Sequence, residues 1–321
     1  MWQDLKNMYH LFVAILANLW HGFPSKKLTV IGVTGTDGKT TTTALIYHIL
    51  NCAGKKVAMV STVGAAVEGK TYDVGFHVTT PSSFAIQKYL KLALQKGCKY
   101  VVLETTSHAI HQKRVFGVHF AIGVLTNVTH EHLDYHKTYD RYLKVKLRLL
   151  ENAKVGIVNR DDMSYEKIQN LKFRIQNLVT YGMMKNADIN PKVFPFQTKL
   201  FGEFNQYNCL AAIAVCKQLG LTEDEIRNGV SSFTAPIGRQ EVVYKDSFSV
   251  MIDFAHTPNA FAKLLPAIKP KEGRLIHVFG SAGARDAKKR PEMGKIAAEF
   301  DDVIILTAED PRGEPVEKIN E

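Results

Sequence analysis

Between Leu28 and Thr43 the chain reads LTVIGVTGTDGKTTTT: an apolar β-branched run, two glycines three residues apart, then a lysine and a row of threonines. The run Leu28–Val33 predicts a strand and Thr40–Ala53 a helix, so the chain must reverse direction within a few residues. Glycines at 35 and 38 let the backbone approach a ligand and turn its N–H groups inward, and the helix N-terminus adds its positive end. Such a turn is an anion cradle. Lys39 would reach the β- and γ-phosphates of a nucleotide and the Thr40 hydroxyl would bind Mg²⁺. The common spacing G-x-x-x-x-G-K-[ST] requires a glycine at 33, where this chain has Val33, so the strand–turn–helix context carries the reading.

The alternation continues. Val57–Thr62, Tyr100–Glu104, Ala121–Thr126 and Val155–Asn159 read as strands, with helices at Ser82–Gln95, Tyr139–Glu151, Asn205–Leu219 and Thr222–Ser232. Thr222-x-x-Glu225 opens the last of these as a capping box. Short continuous apolar runs such as Tyr100-Val-Val-Leu103 suit strands buried on both faces of a parallel sheet. Pro236-Ile-Gly238 punctuates the pattern, and a second α/β unit follows. Its predicted strands are Val242–Lys245, Ser249–Phe254, Arg274–Phe279 and Val303–Leu306, and its helices Asn259–Ile268 and Pro291–Phe300. The expected architecture is α/β: residues 27–236 form a P-loop central domain with a mainly parallel doubly wound sheet, and 237–321 a partial Rossmann-like domain. Residues 1–26 form a helical extension. Its apolar run Leu11–Trp20 is too short to span a bilayer, which needs about 20 residues, and lacks a basic leader, so it reads as an amphipathic packing helix.

A formal charge of +10 favours anionic ligands, and the basic residues are scattered rather than interleaved with aromatics, which points to a small anionic substrate and away from nucleic acid. The four cysteines form no C-x-x-C pair and read as reduced thiols of a cytoplasmic protein. Two further stretches carry chemistry. Glu104 closes a predicted strand, where open parallel sheets bind ligands, and its carboxylate suits Mg²⁺; a solvated turn residue is the plain alternative. His130-Glu-His-Leu-Asp-Tyr-His136 packs three histidines and two acids into seven residues, without the spacing of a zinc site.

Ten blocks, in order, resemble the ATP-dependent Mur ligases of peptidoglycan synthesis, in particular the branch that adds the third amino acid to UDP-N-acetylmuramoyl-L-alanyl-D-glutamate. They are Gly35–Thr40, Thr79-Thr-Pro81, Glu104–His108, Thr126–His136, Tyr142-x-x-x-Lys146, Gly202–Asn208, Gly238–Glu241, Asp253–Pro258, Gly283–Asp286 with Lys289-Arg-Pro291, and Glu309–Arg312. The resemblance implies an amide ligase working through an acyl phosphate, with ATP and two Mg²⁺ ions as cofactors. It places Gly35, Thr36, Asp37, Gly38, Lys39, Thr40 and Thr41 on the nucleotide, with Asn205 and Asn208 toward adenine. Thr40 and Glu104 would hold one metal and Glu104, His132 and Lys146 the other, Lys146 as a carbamate because an ammonium cannot ligate a cation. Arg239, Asp253 and His256 would meet the nucleotide on domain closure. Thr79, Thr80, Ser107 and Arg114 would hold the UDP-muramoyl peptide, and Arg285, Asp310 and Arg312 the free amino acid. The chain departs from the family at Asp37, where Asn is usual, at Ala284, where Asp is common, and at Glu309-Asp310, where Asp-Asn is usual. It is expected to lack the family's N-terminal UDP-binding domain, to stop within the C-terminal one, to have no membrane span and to be a monomer.

Overall fold

A computed structural model describes residues 2–74, 79–129, 131, 133–170, 175–284 and 286–321. The chain divides into two compact units, Met1–Lys199 with Gln206–Pro236, and Leu200–Asn205 with Ile237–Glu321. In chain order the first begins with α1 (Trp2–His21), a short 3-10 turn (Pro24–Lys27), β1 (Thr29–Thr34) and α2 (Lys39–Cys52). Next come β2 (Val57–Ser61), β3 (Gly64–Val67), β4 (Lys70–Tyr72), α3 (Ser83–Gln95), β5 (Tyr100–Glu104), α4 (Ser107–His111) and β6 (Phe120–Leu125). The rest are α5 (Leu133–His136), α6 (Tyr139–Glu151), β7 (Ala153–Asn159), α7 (Ser164–Asn170), β8 (Leu178–Tyr181), α8 (Glu203–Gln218) and α9 (Glu223–Ser232).

These strands make one eight-stranded sheet in the order β4-β3-β2-β5-β1-β6-β7-β8. From β2 to β8 the pairing is parallel; β3 and β4 join antiparallel at the edge, so the sheet is mixed. The small residues Gly64-Ala-Ala-Val67 carry little strand signal, and the β3–β4 hairpin is absent from the sequence expectation for that reason. The central strands β2 and β5 are buried at every residue, as continuous apolar runs require. The register of β1 aligns the carboxyl ends of its neighbours: Val33 pairs with Glu104 of β5, and Thr34 with Leu125 of β6. Helices enter on side-chain caps, Ser82 before α3, Thr106 before α4, Thr138 before α6 and the expected Thr222/Glu225 box before α9.

The extension forms a helix, but its docked face is not the apolar one that was expected. Ala14, Ala17 and Asn18 are buried, Asn18 Nδ2 donates to Phe116 O at 2.9 Å, and the large apolar side chains face outward. Among the described residues no helix is long and apolar enough to cross a membrane.

The second unit pairs β9 (Glu241–Lys245) antiparallel with β10 (Ser249–Ile252), and β11 (Ile276–Phe279) parallel with β12 (Val303–Leu306). Its helices are α10 (Pro258–Ile268), α11 (Lys289–Phe300) and α12 (Val316–Asn320). Phe261, Leu265, Met293 and Ala297 form its core. The strand expected to reach Phe254 stops at Ile252, because the Asp253 carboxylate accepts the backbone N–H groups of Gln240 (2.8 Å) and Ala255 (2.7 Å) and draws the chain out of the ladder.

Candidate functional site

The sheet's carboxyl edge gathers residues from five segments around the turn at 35–38. Gly38 has φ +79 and stands as the N-cap of α2; a Cβ there would strike Asn208 Oδ1, so both conformation and space call for glycine. Asn208 in turn accepts from the Thr42 hydroxyl at 3.2 Å, which ties α8 to the first turn of α2. At Gly35 a Cβ would strike the Thr126 side chain at the end of β6. Thr126 Oγ1 donates to Asp37 O (2.7 Å), Asn127 Oδ1 accepts from Asp37 N (2.9 Å), and Asn127 Nδ2 donates to Asp37 O (3.2 Å). The turn is therefore clamped from the β6 side. Thr36 Oγ1 accepts from Thr129 N at 3.0 Å and bonds the Tyr142 hydroxyl at 3.3 Å. Lys39 folds back to donate to Thr36 O at 2.8 Å, while Thr40 and Thr41 lie buried at the start of α2.

Glu104 is 1% exposed. Its Oε1 accepts from the Thr40 hydroxyl at 3.0 Å, and its Oε2 from Thr62 N (2.9 Å) and Thr62 Oγ1 (3.1 Å). The alternative of a solvated turn glutamate does not hold, since β5 is the strand between β1 and β2 and its last residue has neighbours on both sides. Lys146 is equally buried on α6 and donates to Gly35 O at 2.6 Å, with its Nζ 4.3 Å from the centre of the Tyr142 ring. Burial, and then the charge of Lys39, hold the Lys146 amine well below the ordinary lysine range, against weaker pulls from Glu131 and Asp37. Lowered basicity favours the neutral, nucleophilic form of the amine. Buried hydroxyl and carboxylate oxygens 3.0 Å apart are a hard donor set of the kind Mg²⁺ takes together with phosphate and water. Among the described residues no three His, Cys, Asp or Glu side chains are grouped to hold a metal by themselves.

The residues expected on the muramoyl peptide flank this edge. Thr80 Oγ1 donates to Glu104 O at 3.1 Å and Thr79 precedes it, half-buried. Arg114 donates to Thr80 O and Pro81 O, and burial lowers its basicity. Ser107 shares a hydrogen bond of 3.0 Å with His136, whose ring packs 4.9 Å from Tyr142. His132 and His130 lie outside the described residues. Thr62, Asn127 and Tyr142 carry no role in the sequence expectations. Thr62 directly follows β2 and Asn127 lies two residues beyond β6, and that position just past a strand end is the one local signal for them.

In the second unit the expected residues contact both near and distant neighbours. Asn205 donates to Phe201 O at 2.8 Å and Gln240 Oε1 at 2.9 Å. The Arg239 guanidinium lies 4.3 Å over the Phe254 ring. His256 Nδ1 bonds Phe254 O at 2.8 Å, and Lys289 donates to His256 O at 2.7 Å. Arg312 pairs with Asp310 at 2.7 Å, and Asp310 O accepts from Gly283 N at 2.8 Å. Arg285 is outside the described residues.

Against this geometry stand the likenesses to known proteins. Residues 33–216 match the model of the Mur ligase middle domain, and 238–321 that of the Mur ligase glutamate ligase domain. An enzyme of Aquifex aeolicus named UDP-N-acetylmuramoyl-L-alanyl-D-glutamate--2,6-diaminopimelate ligase is 40% identical over 324 residues, 95% of this chain and 66% of the relative. A Clostridium acetobutylicum relative, given the same name and the numeral 1, is 33% identical over 96% of this chain and 67% of its own length. The chain thus spans about two thirds of the length of these curated relatives. A solved structure of a ligase of that name superposes with TM-score 0.68 at 29% identity, covering 91% of this chain and 64% of that one. The Escherichia coli FolC structure, at 22% identity and TM-score 0.76 over 95% of this chain and 81% of that one, shares the fold. Two matching domain models in succession, together with relatives aligned over nearly the whole chain, make it a member of the Mur ligase family.

Proposed function

We propose that the chain is an ATP-dependent amide ligase of peptidoglycan precursor synthesis, joining an amino acid to UDP-N-acetylmuramoyl-L-alanyl-D-glutamate in the cytoplasm. The observation that supports this reading is a pair of buried long-range bonds at one glycine turn, Thr40 Oγ1 to Glu104 and Lys146 Nζ to Gly35 O, which tie segments 64 and 111 residues apart. Residues 35–40 act as the P-loop of a doubly wound central domain (27–236), preceded by the extension 1–26 and followed by a Rossmann-like domain (237–321).

In the reaction a substrate carboxylate oxygen bonds the γ-phosphorus of ATP, and the bond to the β-γ bridging oxygen breaks to release ADP. The amino group then attacks the acyl carbon and phosphate leaves, with one proton lost from nitrogen. Lys39 swings from Thr36 O to the γ-phosphate and offsets charge as it moves. The turn's N–H groups and the α2 N-terminus hold the β-phosphate. Lys146, as the neutral amine, adds carbon dioxide and loses a proton to become a carbamate. Thr40 with Glu104, and Glu104 with His132 and the Lys146 carbamate, would hold the two magnesium ions. When bound, these supply charge neutralisation along the triphosphate. Thr79, Thr80, Ser107 and Arg114 orient the muramoyl peptide. Asn205, Asn208, Arg239, Asp253 and His256 complete the nucleotide site, and Arg285, Asp310 and Arg312 take the amino acid, with diaminopimelate the first candidate from the names of the relatives.

Phosphate release from ATP by the 321-residue chain is expected to require both the UDP-muramoyl dipeptide and an amino acid, with the tripeptide seen by mass spectrometry. Release that ignores both, or none with any amino acid, overturns the reading. Isotope-labelled bicarbonate should give a carbamate carbon signal in the wild type that Lys146→Met lacks; an unchanged signal removes Lys146 from the metal site.

A further inference from the structure

The helix α1 is built inside out. At about 100° per residue, Leu5, Met8, Phe12, Leu16, Leu19 and Trp20 fall on one continuous arc with Tyr9 and Ile15, about 140° wide, and all eight are exposed. Phe12 is 61%, Met8 68% and Trp20 78% exposed. The arc runs from Leu5 to Trp20, about 22 Å at 1.5 Å per residue. The opposite face, with Ala14, Ala17 and Asn18, docks on the body, where α1 packs against α3 and Asn18 sits on Gly117. An apolar ridge of this length on a folded protein marks an interaction surface.

Charge selects what covers it. α3 packs against both α1 and the 3-10 turn, and these three elements carry five lysines, Lys6, Lys26, Lys27, Lys88 and Lys91, against a single acid, Asp4. The two histidines of α1 report the same field. Burial, then Arg114 and Lys6, lower the basicity of His10; burial, then Lys91, lower that of His21. A two-fold pairing of copies through this ridge would bring together two chains that each carry a net charge of +10. An anionic lipid surface offers an apolar interior for the ridge and phosphate for the exposed Lys6, Lys26, Lys27 and Lys88, with Trp20 and Tyr9 at headgroup level.

We propose that α1 lies in the plane of an anionic membrane surface and holds the protein there as a peripheral, non-spanning anchor. This goes beyond the ligase reading and does not depend on it.

Both tryptophans of the chain, Trp2 and Trp20, are in α1, so intrinsic tryptophan emission reports this helix alone. With vesicles of phosphatidylcholine containing phosphatidylglycerol, the chain should float with the lipid and its emission should move to shorter wavelength. Binding should weaken severalfold on pure phosphatidylcholine or in high salt. The double variant Phe12→Glu/Leu16→Glu should lose binding by about tenfold or more while keeping the wild-type melting temperature. Lys26→Glu/Lys27→Glu should weaken binding to the charged vesicles only. Absence of flotation, equal binding by the Phe12/Leu16 variant, or a wild-type dimer that this variant turns into a monomer would overturn the proposal, the last in favour of a second copy.

Discussion

The two units hold their candidate residues in different ways. In the first, Glu104, Lys146, Asn127 and Asn208 are fixed by hydrogen bonds to segments far away in sequence, inside a sheet whose middle strands are buried throughout. In the second, Arg312 pairs with Asp310 and His256 with Phe254 O, and the strands β9 to β12 are largely exposed around a core of four side chains. Dense buried polar networks are rigid because every member would be costly to leave unpaired. An exposed pair made within two residues, such as Arg312–Asp310, is screened and contributes little. The first unit thus fixes its buried polar groups by long-range bonds, whereas the second combines such bonds, Asn205 to Gln240 and Gln240 N to Asp253, with short-range exposed pairs.

The sharpest break of this comparison is Phe261→Ala, which removes the largest member of the small core. A loss of about 3–5 kcal/mol is expected, seen in calorimetry as an early transition of the second unit with that of the first unmoved. A single transition shifted as a whole would show that the units do not melt independently. Next is Glu104→Gln, which leaves the Thr62 contacts nearly isosteric but removes the charge. Phosphate release should fall by about 10²–10³-fold at nearly constant melting temperature, whereas Arg312→Ala should mainly raise the KM for the amino acid. Equal kcat losses at both would erase the distinction. Gly38→Ala forces a left-handed alanine against Asn208, and about 1–2 kcal/mol should be lost from the first unit's transition; no change in melting would disprove the clamp.

The smallest effect is a pH one. The Arg290 guanidinium and the Ala284 N–H hold the Glu314 carboxyl down at about 2. A depressed carboxyl contributes stability in full above its unfolded value, about 4.3, and loses it as pH falls toward 2. The pair is partly exposed to solvent, so screening keeps the contribution modest. Between pH 5 and pH 3 the second unit of the wild type should therefore lose slightly more melting temperature than that of Glu314→Gln; parallel curves would remove this pair from the second unit's stability.

How much of this was legible beforehand follows from range. The strand–turn–helix at 28–53 and the Thr222 cap are written in local periodicity and cap chemistry, and the structure repeats them within a residue or two. The β3–β4 hairpin was not legible, because small residues give no period, and neither was the orientation of α1, because an apolar stripe shows that a face exists and not which way it turns. For Asn127 and Thr62 a place just past a strand end is only a weak local mark; the parallel register is what sets them beside Asp37 and Glu104.

By itself, then, the sequence determined the α/β alternation and the glycine turn, since each depends on neighbours within a few positions. Tertiary structure alone decided that Glu104 is buried between two threonines, that burial and the charge of Lys39 lower the basicity of Lys146, and that α1 shows its apolar face outward. Burial and proximity across dozens of residues set pKa values and exposure, and those are properties of the packed sheet rather than of any segment in it.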